Sequence, residues 1–205
     1  MSRYTWLFDP GHGGIIDGVY QTAGKRSPAF PDGSVLYEGD CNREVVNRLK
    51  KFCKNSNYDY VDVVDSLEDV PLRTRIQRAN AIHAEKGNCI YVSVHCNAFG
   101  NGKDFNNAAG TICFHHYKSK VGGQLATRLQ KHLMDLTNFK DRGIRANDTW
   151  ANFYVLRKTN MPAVLSENGF MTNYNDAIML MDPMVRRNIA LAHYSMIQEI
   201  EEDGL

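Results

Sequence analysis

The chain has 205 residues, 43% of them hydrophobic and 23% charged, with a net charge of +1; this is the balance of one globular domain with room for a sizeable core. Near-neutral charge and dispersed basic residues exclude an electrostatic case for nucleic acid or an anionic membrane. Five cysteines (Cys41, Cys53, Cys89, Cys96, Cys113) form no CxxC pair, which argues for reduced thiols rather than a disulfide framework.

Residues 5–8 read as a short apolar strand that runs into Asp9-Pro10-Gly11-His12-Gly13-Gly14, a histidine on a glycine-framed turn. Residues 9–37 are rich in Gly, Pro and Asp and read as one long loop, a feature that is usually functional in a compact domain. A helix is expected from Glu38 to about Asn55, with Cys41, Val45, Val46, Leu49, Phe52 and Cys53 on one stripe. Residues 60–64 read as a strand. Residues 71–86 read as a helix opened by Pro71 and closed by Gly87, with Leu72, Ile76, Ala79 and Ile82 inward. The densest basic group, Arg73, Arg75 and Arg78, reads as the solvated face of that helix.

Residues 89–95 form the clearest strand, a nearly continuous run of β-formers suited to burial on both faces. A polar loop over 98–109, a strand over 110–116 and a helix over 122–136 follow. Residues 153–156 and 163–166 read as two more strands, and 183–200 as a terminal helix. This alternation predicts an α/β fold: a single domain over 1–205, built as a three-layer sandwich with a twisted, mostly parallel central sheet flanked by helices.

In open parallel sheets, ligands bind beyond the carboxyl ends of the strands. His12 follows the first strand, His95 ends the central one and Glu167 ends the last. Glu38, at a helix start, reaches the same edge if the long loop folds back. Two imidazoles and a carboxylate, with a fourth position left for water, are what a catalytic zinc ion needs. A further carboxylate can then act as general base. Taken singly, His12 also reads as a turn residue and His95 as a satisfied core imidazole. Glu167 is harder to explain that way, because an unpaired buried charge is costly.

The ordered motifs extend well beyond these four residues. They are the opening LFDPGHGG, an isolated Glu38 before a helix, and Leu72-Arg73-Thr74-Arg75 followed by Ala79-Asn80. Ser93-Val94-His95-Cys96-Asn97-Ala98 and Phe153-Tyr154-Val155-Leu156-Arg157 come next, and the stretch from Pro162 through Ser166-Glu167-Asn168-Gly169-Phe170 to Asn173 closes the set. Across nearly the whole chain this resembles the zinc-dependent N-acetylmuramoyl-L-alanine amidases of the amidase-3 family, found in bacterial wall hydrolases and phage endolysins. The resemblance implies a mixed twisted sheet flanked by helices, one Zn2+ ion held by His12, Glu38 and His95, and Glu167 as catalytic acid/base. It implies hydrolysis of the amide between N-acetylmuramic acid and L-alanine, with peptidoglycan as partner. A monomer is expected, with no nucleic acid or membrane partner. Asn168 stands where the family is usually apolar and Cys96 where it is usually small.

Two other readings stay open: another zinc peptidase on a similar scaffold, and a non-catalytic peptidoglycan-binding module. The N-terminus has no apolar run long enough for a signal peptide. The chain is therefore expected to be made in the cytoplasm and to act on the cell wall as an endolysin does, unless it is trimmed from a secreted precursor. His115 and His116 read as structural, His83-Ala84-Glu85 as helix surface, and His132 and His193 as packing or surface residues. Asp9 reads equally as an orienter of a ligand imidazole and as a turn residue. Phe99, Phe105, Trp150, Phe153 and Tyr154 are candidates for lining a groove. Arg157 reads as a contact for a stem-peptide carboxylate or as a surface ion-pair partner. No residue is assigned to substrate binding.

Overall fold

The computed structural model describes residues 2–147 and 152–205; Trp150 lies outside them. Strand β1 (Thr5–Pro10) alternates sides, with Trp6 and Phe8 entering one apolar cluster and Leu7 the other. The same alternation runs through β5 (Cys89–Asn97), where Ile90, Val92, Val94 and Cys96 face one cluster and Tyr91 the other. Both strands are buried on both faces, so their sequences read as continuous apolar runs.

With β4 (Tyr60–Asp62), β6 (Thr111–His116), β7 (Asp141–Asn147) and β8 (Ala163–Phe170), these strands make a six-stranded sheet in the order β4-β1-β5-β8-β6-β7. All neighbours run parallel except β6 and β8, which are antiparallel. Helices α1 (Glu38–Asn55), α3 (Lys120–Leu136) and α6 (Pro183–Asp203) cover one face, while α2 (Leu72–Lys86) and α4 (Tyr154–Lys158) cover the other. Helix α5 (Tyr174–Met181) packs on α6 and β8. The expected three-layer α/β sandwich is thus present. No helix among the described residues is long and apolar enough to cross a membrane.

Four expectations need correction. Residues 153–156 are not a strand: Tyr154–Lys158 is a short helix that buries Val155 and Leu156. β8 already has β5 and β6 on its two sides, so no place in the ladder was free for a strand there. The long loop contains a hairpin, β2 (Ile15–Ile16) with β3 (Val19–Tyr20). Its turn residues Asp17 and Gly18 both have positive φ, 49° and 80°, as a two-residue hairpin turn requires. Leu72 is 51% exposed rather than inward. Arg75, read as solvated, is 2% exposed.

Arg75 is buried because it organises the turn after β1. Its Nη1 donates to Asp9 Oδ1 at 2.6 Å and to Pro10 O at 2.7 Å, its Nη2 to His12 O at 3.0 Å, and its Nε to Val70 O at 2.8 Å. Asp9 also accepts from Ser93 Oγ at 2.8 Å. Burial alone would raise the Asp9 pKa, but the Arg75 guanidinium beside it holds the carboxyl below its ordinary value. Removing one member of such a pair leaves an uncompensated buried charge, so Arg75→Met is expected to destabilise the protein by about 3–5 kcal/mol. Denaturant unfolding checks this. The double variant Asp9→Asn/Arg75→Met should recover part of the loss, and a loss within about 0.5 kcal/mol for Arg75→Met would place the pair among inconsequential surface contacts.

Candidate metal centre and catalytic cleft

The backbone beyond β1 is shaped to bring three donor side chains together. Gly11 N continues the ladder by donating to Val94 O at 2.9 Å, and the His95 ring rests directly on its Cα. His12 adopts φ 65°, a left-handed conformation that costs a non-glycine residue on the order of 1–3 kcal/mol. The Arg75 bond to its carbonyl and the bond from Gly13 N to Thr22 Oγ1 (2.7 Å) hold it there. Glycine at 39 lets the turn pack on the first turn of α1, since a Cβ there would lie 1.8 Å from Gly13 O. His12 thereby comes alongside Glu38.

Glu38 is the first residue of α1 and 2% exposed. Its position at a helix N-terminus favours negative charge. Glu38 Oε2 lies 3.2 Å from His12 Nε2 and Oε1 lies 3.0 Å from His95 Nδ1. Oε1 also accepts from Cys96 N at 3.3 Å. Burial pushes the Glu38 pKa up, but the two histidine hydrogen bonds outweigh it and hold the carboxyl down at about 2. Burial likewise disfavours a charged His95, yet its bond to Glu38 raises its pKa overall. The two imidazole planes are perpendicular, with centroids 5.1 Å apart.

One ligand atom from each of His12, Glu38 and His95 falls within a common 4.8 Å. Two ligands of a tetrahedral zinc, each bonded at about 2.0–2.1 Å, are about 3.3 Å apart. The 3.0 and 3.2 Å contacts run to the two different oxygens of Glu38, so the three donors are gathered around one point while His12 and His95 stand further from each other than from the carboxylate. The donor set, two nitrogens and one carboxylate from separate elements, also suits zinc with an open position.

Glu167 sits beside this cluster on β8, in register with His95 on β5. It is 8% exposed, and its Oε2 is buried with no hydrogen-bond partner. Burial raises its pKa to about 7; His95 pulls it down and Glu38 pushes it up. A buried polar atom without a partner is costly in a folded protein, and this one borders the cleft that the three donors line. The cavity measures about 280 Å³, and Leu72, Phe153, Tyr154, Val155 and Leu165 form its apolar wall.

The structure resolves several roles that the sequence left undecided. Asp9 touches neither imidazole ring through a hydrogen bond; it anchors Arg75 and so the turn that carries His12. Asn168 braces His95 from behind: its Nδ2 donates to His95 O and to Ser166 Oγ, both at 3.0 Å. Ser166 Oγ meets His193 Nε2 at 2.9 Å, and His193 Nδ1 meets Ile189 O at 2.8 Å. Burial lowers the His193 pKa to about 4, so this ring is neutral and packs inside α6.

His132 pairs with Glu199, and His115 bonds the backbone of His116 at the C-terminal end of β6, away from the cleft. Of the proposed groove aromatics, Phe153 and Tyr154 line the cleft. Phe99 lines a neighbouring cavity with Arg142 and Phe170. Phe105 stacks with Phe30 and Tyr174 elsewhere. Arg157 lies over the Tyr154 ring. All five cysteines are buried and free.

The importance of Gly11 was not visible in the motif. A Cβ at that position would lie 2.1 Å from His95 Cε1, so Gly11→Ala must displace the His95 ring or the turn beneath it. The variant is expected to weaken any metal binding at this cluster while its stability falls by only about 1–3 kcal/mol, the ordinary cost of overpacking. Equilibrium dialysis against zinc, paired with thermal unfolding, checks both halves. Wild-type zinc affinity in Gly11→Ala would show that this ring position does not build the site.

The amidase-3 sequence family, described as N-acetylmuramoyl-L-alanine amidase, matches residues 7–199. The endolysin of Bacillus phage SPP1 is 32% identical over 98% of this chain and 66% of its own length. The N-acetylmuramoyl-L-alanine amidase CwlM of Bacillus licheniformis is 30% identical over 91% of this chain and 64% of its own length. The chain thus spans just under two thirds of these curated relatives. The crystal structure of an N-acetylmuramoyl-L-alanine amidase from Clostridium difficile 630 superposes with a TM-score of 0.79 at 27% identity, covering 99% of both chains. With the sequence match running from β1 to α6, the chain belongs to the amidase-3 family of N-acetylmuramoyl-L-alanine amidases.

Proposed function

We propose that this chain is a single catalytic domain that hydrolyses, with one zinc ion, the amide between the lactyl carbonyl of N-acetylmuramic acid and the amine of L-alanine in peptidoglycan. The observation that carries the reading is the Glu38 carboxylate held between His12 and His95, with the unpartnered Oε2 of Glu167 beside them. His12 Nε2, Glu38 and His95 Nδ1 would hold the ion. Bound there, zinc supplies Lewis acidity, which acidifies water toward a pKa of about 7 and polarises a carbonyl.

The chain's own groups do the rest. Glu167 Oε2 takes the proton of the attacking water and delivers it to the departing alanine nitrogen. Its Oε2, buried beside the cleft with no protein partner, is free to accept that proton and give it up again. Glu167 sits on a rigid central strand, so its reach is fixed by the β5–β8 register rather than by a loop. Leu72, Phe153 and Tyr154 narrow the cleft and limit competing water around the scissile bond. A buried, unpartnered base serves an enzyme and is pure cost to a module that only binds the wall. The domain acts on the wall as a monomer in this reading.

The test is product analysis on purified peptidoglycan digested by the zinc-loaded protein. Release of N-terminal L-alanine with no new reducing sugar ends supports the amidase. Other new amines would indicate a peptidase, and wall binding without release would indicate a binding module.

A further inference from the structure

The cleft that holds His12, Glu38, His95 and Glu167 has one ammonium in its wall, that of Lys25. Among the described residues it is the only lysine or arginine lining that cavity. Its main chain is pinned to the metal centre: Glu38 N donates to Lys25 O at 3.0 Å, and the next residue, Arg26, bridges to Tyr37. Lys25 N itself donates to Thr22 O at 3.4 Å, and Thr22 Oγ1 accepts from Gly13 N in the His12 turn. The backbone of Lys25 is therefore fixed relative to Glu38 and His12, while its side chain is exposed.

No acid among the described residues forms an ion pair with it, although its charge is felt at Glu167, whose carboxylate it favours. A cation held at the lip of a reaction cleft without a protein partner is placed to receive an anion from outside. The two sides of the scissile amide differ in what they offer. On the saccharide side the lactyl carboxyl is consumed in the amide, which leaves hydroxyl and acetamido groups. The peptide side carries free carboxylates on the residues after alanine.

We propose that Lys25 is a specificity-determining residue that pairs with a free carboxylate on the stem-peptide side of the substrate. It thereby favours stem peptides whose acidic residue next to alanine is unmodified over those in which that carboxyl is amidated. The inference rests on the amidase reading of the cleft. A single ammonium on a flexible stem senses charge more than shape. The pair remains partly solvated, so its effect is modest.

The experiment uses the zinc-loaded full chain and two synthetic N-acetylmuramoyl peptides. They are identical except that the α-carboxyl of the glutamate following L-alanine is free in one and amidated in the other. Wild type is expected to show a KM about three- to tenfold lower for the acid than for the amide, with similar kcat, as a partly exposed ion pair allows. Lys25→Ala should erase that preference, Lys25→Arg should keep it, and Lys25→Glu should invert it. Equal KM values in wild type overturn the proposal. So does a Lys25→Ala variant that loses kcat equally on both substrates, because that pattern belongs to a residue acting only through Glu167.

Calorimetric binding of L-alanyl-D-glutamate with its γ-carboxyl blocked as a methylamide, and of the matching α-amide, decides the matter independently of turnover. A preference for the acid that Lys25→Ala abolishes supports the assignment, and equal affinities overturn it. Failure to cleave either substrate would count against the amidase reading, not against Lys25.

Discussion

Glu167→Gln is expected to keep the fold and the bound zinc and to lose on the order of 10²–10⁴ of the turnover, the usual contribution of a positioned acid/base. Glutamine matches glutamate in size and keeps the packing between Leu165 and the cleft, but it cannot accept a proton. Glu167 lies outside the group of His12, Glu38 and His95 that could hold a metal, so zinc content should stay at one ion per chain. Parallel measurement of zinc by elemental analysis and of alanine release gives both readouts. Wild-type turnover in this variant would reject the role of Glu167, and loss of zinc would move it into the ligand set.

The same substitution has a stability consequence in the metal-free protein. Burial raises the folded pKa of Glu167 from 4.5 to about 7, so between those values the folded state holds a proton that the unfolded state has released. Stability linked to this group is full below about pH 4.5 and is lost as pH rises toward 7. Metal-free Glu167→Gln, which has no such proton, should therefore gain stability relative to wild type as pH is raised through this window.

His95→Ala carries the second large effect. It removes one of three protein donors and leaves Glu38 buried with a single imidazole partner. Mutations of outer-shell partners alone typically lower metal affinity 10–100-fold, so loss of a direct donor is expected to weaken zinc binding by more than about a hundredfold. Competition with a chelator of known affinity measures this, and turnover should fall with occupancy. The variant also vacates the space above Gly11 that the His95 ring fills, so part of any destabilisation is a packing loss. Retention of zinc at wild-type affinity would remove His95 from the proposed ligand set. Gly11→Ala should mimic the metal defect without deleting any donor, which separates ring position from ring chemistry.

The four chemistry-bearing residues were legible from ordered motifs, although His95 and Glu167, expected to end their strands, lie two and three residues inside the ends of β5 and β8. His12, His95 and Glu167 follow apolar runs, and Glu38 opens a helix whose stripe is regular. Their convergence depends on strand order, which the parallel register of β1, β5 and β8 then supplies. Arg75 was not legible: local pattern put it among exposed arginines, and only a partner 66 positions away, Asp9, explains its burial. β7 escaped because Asp141–Asn147 has one large apolar residue, Ile144, itself 40% exposed at the sheet edge. The short helix α4 escaped for the opposite reason, since Phe-Tyr-Val-Leu is a strand composition that tertiary packing overrides. The Asp17-Gly18 hairpin carried a readable turn signal that was masked by the loop-like composition around it. Asn168 was visible only as an oddity, and its bond to the His95 carbonyl gives it a purpose.

Diffraction at the zinc absorption edge, from crystals grown with the metal, tests the central claim most directly. The account predicts one anomalous peak bonded at about 2.0–2.2 Å to His12 Nε2, a Glu38 oxygen and His95 Nδ1, with Glu167 nearby and not bonded to it. A peak elsewhere, or His12, Glu38 and His95 pointing apart around an empty cleft, would contradict it.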